Sequence, residues 1–338
     1  MANLFERAAC FTDIHYGLKQ NSRQHLKDCH DFVEWFIAEA KARDCETCFF
    51  LGDWHHHRAS INIATMNATI RDLKLLNESF EKVYFITGNH DLYYREKRDL
   101  NSIEFARDLE NFVMVDEHFC EDGVAIIPWL VGDEHKKLNK LDCKYMFGHF
   151  ELSYFKMNAM VEMPDHGGIN AEQLTGPEYV FTGHFHKRQN KGNVHYLGSP
   201  FGHNYADTWD DDRGMMTLEW GGTPQYINFD GPRYRTVPLS RLIDEPDVIL
   251  NSKTYCRATL DINISYEEAS FIKETFSKQY SVREIALIPS KKEEHAQDWK
   301  VVDDIEVENV DQIVYNSLNA VDSEMIDKKI LVDIYNSL

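Results

Sequence analysis

Val83-Tyr84-Phe85-Ile86-Thr87 runs directly into Gly88-Asn89-His90-Asp91, and the reading of the whole chain turns on that junction. A short run rich in β-branched and aromatic residues, stopped by glycine, predicts a buried strand, and the quartet behind it places polar groups at the strand's end. The plan recurs in order: residues 8–12 lead into Asp13-Ile14-His15, residues 48–51 into Gly52-Asp53, residues 145–147 into Gly148-His149, and residues 179–182 into Gly183-His184-Phe185-His186. One Gly-His pair says little, because a lone histidine is more often a core or surface residue than a ligand. Five such ends in succession say much more. Neighbouring strands bring their C-terminal ends to one crevice, and glycines there allow tight turns and close approach.

Outward from these strands, Leu26, Cys29, Val33, Phe36 and Ala40 recur every three or four positions, as do Ile63, Met66, Ile70, Leu73 and Phe80. Each spacing predicts a helix with one apolar face. Strands alternating with helices predict an α/β layered architecture. Beyond Gly222 the chain becomes turn-rich, with Pro224, Gly231, Pro232 and Pro238, and a smaller α+β unit is predicted from strand 254–262, helix 266–280 and strand 282–289. Residues 290–308 read as a charged linker in which Trp299, Val301 and Val302 can pack locally. Asn309 with Gln312 resembles a capping box, and Ile326, Ile330, Ile334 and Leu338 give a second helix an apolar face with Leu331 and Tyr335. That face either docks on the protein's own core or receives a partner. The expected division is a catalytic domain at 1–222, an α+β domain at 223–289, a linker at 290–308 and a helical segment at 309–338.

The 338 residues suffice for a sizeable core, and no run approaches the roughly 18 apolar residues of a membrane span. Residues 1–7 lack the plan of a secretory signal, so a cytoplasmic location is expected. Seven cysteines fit reduced thiols, and Cys45-x-x-Cys48 has no second pair at zinc-site spacing. A net charge of −20 repels a phosphate backbone at long range. Tight unaided DNA binding is therefore not expected, although two divalent metals would add about four positive charges at a scissile phosphate.

The donors at the strand ends are carboxylates, imidazoles and one carboxamide, a mixture that suits manganese, iron or zinc better than an all-oxygen calcium site. A metal pair is implied, with a carboxylate bridging ions about 3.5–4 Å apart and an acidified water attacking phosphorus in line.

The ordered blocks D-x-H, G-D, G-N-H-D, G-H and G-H-x-H between Asp13 and His186 resemble those of the calcineurin-like metallophosphoesterases. Gly52-Asp53-Trp54-His55-His56-His57-Arg58, Tyr196-Leu197-Gly198-Ser199-Pro200, the small module and the helical tail make the chain most similar to the SbcD-type nuclease subunits, including those of tailed phages. The resemblance implies a four-layer sandwich of central sheets flanked by helices, with a small capping domain. It further implies that Asp13, His15 and His186 hold one metal, Asp53 bridges, and Asn89, His149 and His184 hold the other. His90 would stabilise the transition state or protonate the leaving oxygen, with Asp91 orienting its ring, and His56 would contact phosphate or assist the leaving group. Three consecutive histidines leave His55, His56 and His57 unranked, and Arg58 fits either a phosphate contact or a structural ion pair. The remaining histidines read as ordinary, except that residues 198–204, with His203, can line a substrate groove or form a plain strand-to-loop transition.

The implied activity is a manganese-dependent DNA nuclease, exonuclease on duplex ends and endonuclease on single strands. It would act as a homodimer within a heterotetramer, with an SbcC-like coiled-coil ATPase bound to the C-terminal helices. Rival readings are a stand-alone phosphodiesterase or phosphatase on small esters, and an inactive scaffold, against which the complete ligand set argues.

Overall fold

β1 (Arg7–Phe11), β2 (Thr47–Leu51), β3 (Lys82–Ile86) and β4 (Phe112–Val115) lie parallel, and they form strands because alternate residues feed two different cores. Ala9, Phe11, Cys48, Phe50, Val83 and Phe85 face the helices. Ala8, Cys10, Phe49, Leu51, Tyr84 and Ile86 face a second sheet. A parallel strand buried on both faces reads as an unbroken apolar run, which is why these segments were legible. The structure, a computed structural model, describes residues 3–157, 161–165 and 168–289. The predicted linker at 290–308 and the helices from 309 to 338 lie outside the described residues.

The first sheet is completed by β11 (Gly214–Glu219), antiparallel beside β1, and β12 (Gln225–Asn228), antiparallel beside β11. In the second, β6 (Val124–Ile127), β7 (Tyr145–His149), β8 (Tyr179–Gly183) and β10 (Val194–Tyr196) are parallel, edged by the antiparallel β5 (Phe119–Glu121) and β9 (Gln189–Lys191). Their strands alternate likewise: Tyr145, Phe147 and Phe181 face the first sheet, and Met146 and Val180 face outward. Phe49 stacks on Phe147 across the two sheets at 4.1 Å between ring centroids. The outer face of the second sheet is closed by the 3-10 turns Glu134–Lys140 and Ala171–Leu174, whose Leu138 and Leu174 join that core.

Helix α1 (Arg23–Lys41) starts at Ser22, whose hydroxyl accepts from the His25 N–H, and buries Leu26, Cys29, Val33, Phe36 and Ala40, the predicted stripe. Helix α2 (Ile63–Ser79) forms where expected but turns a different face inward. Ile63 and Ile70 are 80% and 38% exposed, while Thr65, Ala68, Thr69, Asp72, Leu73 and Leu76 are buried. The reason is chemical: Asp72 accepts from the Tyr16 hydroxyl at 2.5 Å, and the Thr69 hydroxyl accepts from Trp54 Nε1 at 3.2 Å. A helix face that braces polar loops does not show as an apolar stripe.

β13 (Arg233–Pro238), β14 (Thr254–Leu260) and β15 (Glu284–Pro289) form a separate parallel sheet. It is covered by α3 (Leu239–Asp244), α4 (Pro246–Ile249) and α5 (Tyr266–Tyr280). α5 has its predicted bounds and a Ser265/Glu268 capping box. β13 lies in the stretch that reads as turns. Because β12 belongs to the first sheet, the chain passes to the third sheet through 229–232 rather than at Gly222. Arg283 ties this module to α1 with bonds of 2.7 and 2.6 Å to the two Asp28 oxygens. The seven cysteines are free, six of them buried. Among the described residues no helix is long and apolar enough to cross a membrane.

Candidate metal centre

The C-terminal ends of β1, β2 and β3 meet those of β7 and β8 across the two sheets. The first two turns are zipped by backbone: Asp13 N–H donates to Gly52 O at 2.9 Å and His15 N–H to Asp53 O at 3.1 Å. The second sheet is keyed in by His184 N–H, 3.1 Å from each Asp13 carboxylate oxygen, and by His149 Nδ1, 2.7 Å from Leu51 O. The fit is close enough that a Cβ on Gly88 would lie 2.1 Å from Asp53 Oδ1. Asp13, His15, Asp53 and His184 all have left-handed backbones, at φ 53°, 52°, 60° and 89°. That conformation costs a non-glycine residue about 1–2 kcal/mol, and its concentration at the proposed ligands marks a site whose side-chain directions are imposed.

Two donor sets share Asp53. Asp53 Oδ2 is 3.6 Å from His15 Nε2 and 3.6 Å from His149 Nε2. On one side, His15 Nε2 and His186 Nε2 are 3.1 Å apart, close enough that one ion would be held by both nitrogens. On the other, Asn89 Oδ1 is 3.2 Å from His149 Nε2 and 2.8 Å from His184 Nδ1. Leu51 O accepts a hydrogen bond from Nδ1–H of His149, and Glu151 Oε2, 3.0 Å from His184 Nε2, accepts one from the N–H there. The nitrogens that converge on Asn89 and Asp53 are then lone pairs facing oxygen acceptors, an arrangement that is repulsive until a cation lies between them.

The electrostatics agree. Burial, reinforced by Asp53, pushes the Asp13 carboxyl up to about 7, and burial pushes Asp53 up to about 6. Burial also holds His15, His149, His184 and His186 below the usual imidazole range, His186 at about 3. Neutral imidazoles around carboxylates that resist ionising alone have the chemistry a cation would satisfy, and the residues present fit a metal pair.

A family profile of calcineurin-like phosphoesterases matches residues 6–188, which contain every one of these donors. The chain belongs to the calcineurin-like phosphoesterase family. It is 24% identical over 340 residues to exonuclease subunit 1 of Enterobacteria phage T4, covering 96% of each chain. Solved structures similar to this phosphoesterase include a nuclease MPE from Pseudomonas putida, at 19% identity and TM-score 0.28, covering 56% of this chain and 66% of that one. A dimetal phosphatase from Danio rerio aligns at 10% identity and TM-score 0.39, covering 64% and 93%.

Within this phosphoesterase the three consecutive histidines separate. Buried His55 uses both ring nitrogens, on Ser102 Oγ at 2.8 Å and Thr69 Oγ1 at 2.9 Å, and His57 is exposed. His56 alone of the three meets the donor cluster, with Nδ1 3.5 Å from His15 Nδ1 and its ring stacked on His90 at 5.3 Å. His90 lies edge-on to His15 at 4.9 Å, and its N–H donates to Asp53 Oδ1 at 2.8 Å.

Asp91 departs from its expected role. Its carboxylate accepts from the N–H groups of Asp53, His55 and Gly88 at 2.8, 3.0 and 2.9 Å, so it buckles the two turns together. The His90 ring is oriented instead by the His56 carbonyl, 2.9 Å from Nδ1. The physical cause is direction, since a side chain at the close of a tight turn points back into the turn.

Glu151 was missed, although it stands only two residues past His149. It also pairs with Arg95 at 2.7 Å, and Arg95 lies over Trp129, whose ring is 5.1 Å from His184. Removing a partner that fixes a ligand's tautomer typically weakens metal binding ten- to a hundred-fold. Glu151→Ala is accordingly expected to weaken one metal site by about ten-fold and leave the other unchanged, as read by calorimetric titration of the metal-free protein.

Proposed function

We propose that the chain is a manganese-dependent DNA nuclease, exonuclease on duplex ends and endonuclease on single strands. In this reading it is the catalytic subunit of a cytoplasmic complex with a coiled-coil ATPase of the SbcC type. The observation that carries it is the convergence of imidazole, carboxylate and carboxamide donors on both sides of Asp53, in a chain related over 96% of its length to an exonuclease subunit. Asp13, His15, Asp53 and His186 would hold one metal, and Asp53, Asn89, His149 and His184 the other. Two divalent ions so held would acidify a water at neutral pH and offset phosphate charge.

The remaining steps belong to the chain's own residues. The His56 carbonyl accepts a hydrogen bond from Nδ1–H of His90 and leaves Nε2 to hold or move a proton at the leaving oxygen. Burial holds His90 at about 4 without substrate, and an adjacent phosphodiester charge would raise it. The stacked His56 restricts the His90 ring to the orientation that serves this transfer. The net charge of −20 leaves DNA grip to a partner, for which the segment 309–338 is the proposed attachment. A homodimer bridged by the ATPase completes the assembly.

The test is manganese-dependent cleavage of end-labelled linear duplex and circular single-stranded DNA, with and without the co-expressed ATPase. The parent is expected to cleave, and His90→Ala to cleave about 10²-fold more slowly with both metals still bound. Metal-loaded protein that leaves DNA intact under every condition but turns over nucleotides or small phosphate esters would replace the nuclease with a stand-alone phosphoesterase.

A further inference from the structure

His203 is 2% exposed, and neither of its ring nitrogens has a hydrogen-bond partner among the described residues. A buried imidazole left in that state costs about 1–3 kcal/mol, so a fold that keeps one calls for an explanation. Its surroundings supply one. The ring stands nearly perpendicular to His15 at 5.3 Å and to His186 at 4.9 Å between centroids. One nitrogen from each of the three rings lies within 4.8 Å of the other two, a spacing that a single ion can bridge.

The backbone that carries His203 is held as firmly as that of the proposed ligands. Its N–H donates to Asp207 Oδ2 at 2.8 Å, and its carbonyl accepts from the Tyr234 hydroxyl at 2.8 Å. The other oxygen of Asp207 accepts from Arg213 at 2.8 Å, and Arg213 also donates to the His186 carbonyl at 2.7 Å. One buried guanidinium thus sets the positions of both His186 and His203. A side chain that merely filled space would need no such registration; Phe201 and His25, 5.5 and 6.1 Å away between centroids, also pack against the ring.

We propose that His203 supplies a third imidazole nitrogen to the metal held by His15 and His186. This rests on the metal-pair reading above and adds to it a ligand from outside the five strand-end motifs. It makes this site richer in nitrogen than its neighbour, so the two positions would differ in metal preference, this one favouring zinc or iron over magnesium more strongly.

Two variants of the full chain test it. His203→Phe keeps an aromatic ring and removes the unpartnered nitrogens, and His203→Gly opens a space that free imidazole can enter. Metal-free His203→Phe is expected to melt no lower than the parent, yet to bind manganese at one of its two sites at least about ten-fold more weakly. Cobalt-loaded protein should show a changed visible absorption in both variants, and added imidazole should restore affinity and spectrum in His203→Gly alone. Parent-like affinity and spectrum in His203→Phe would overturn the proposal and leave the metal-pair reading intact. Variants that do not fold without metal would assign the histidine to folding and equally overturn it. A parent chain that binds no divalent metal would sink both readings. Parent metal binding without DNA cleavage would sink only the nuclease.

Discussion

Asp53→Asn is expected to lower metal-dependent phosphodiester cleavage by more than about 10³-fold, or about 4 kcal/mol of barrier, without lowering the melting temperature of the metal-free protein. Oδ2 of this carboxylate is equidistant, at 3.6 Å, from His15 and His149, and Oδ1 accepts the His90 N–H at 2.8 Å. An amide in the same volume keeps one acceptor for His90 but turns an NH₂ toward two imidazole lone pairs, which it would occupy by hydrogen bonding. It also removes one negative charge from between the two proposed ions. Stability moves the other way, because burial has already pushed Asp53 up to about 6, and the isosteric amide escapes that desolvation cost. Steady-state rates paired with thermal melts with and without manganese decide the matter. A variant that keeps more than a tenth of parental activity would mean that Asp53 does not join the two donor sets.

The same residue illustrates what a sequence of this kind discloses. Asp53 was legible because it ends a parallel strand: burial on both faces makes such a strand an uninterrupted apolar run, and the following glycine marks where it turns out of the sheet. Each of the five motif-bearing strands was found within two residues of its expected bounds for that reason. Other features depend on what approaches from elsewhere in the chain. The inward face of α2 is polar at Thr65, Thr69 and Asp72 because Tyr16, Trp54 and His55 come to rest on it, so periodicity alone chose Ile63 and Ile70. Asp91 sits within a motif, yet its task is set by three backbone N–H groups, two of them in the turn after β2. Glu151 and His203 gain meaning only when the loop after β3 brings Arg95 to the first and the turn into β11 brings Arg213, through Asp207, to the second. β13 reads as a turn because prolines and glycines crowd its entry and because its buried positions, Tyr234, Arg235 and Val237, do not alternate cleanly and include a charged residue.

Arg213→Met is expected to destabilise the chain by about 3–5 kcal/mol, and with it to weaken metal binding on the His186 side. The guanidinium is 2% exposed and serves five acceptors: the Asp207 and Asp210 carboxylates at 2.8 and 3.0 Å, the Asp210 and His186 carbonyls at 2.9 and 2.7 Å, and the Ser199 hydroxyl. Methionine fills much of the space but satisfies none of them. The Asp210 carboxylate keeps Lys187 at 3.2 Å, so Asp207 bears most of the loss, and Asp207 is also the residue that holds the backbone of His203. A melting temperature lower by on the order of 10 °C would follow for a domain of this size. The double variant Arg213→Met with Asp207→Asn should recover part of that stability, since the stranded charge is gone, but not the metal affinity, since nothing restores the bond to the His186 carbonyl. If stability and affinity instead recover together, the network serves the fold alone and the ligand turns need no support from it.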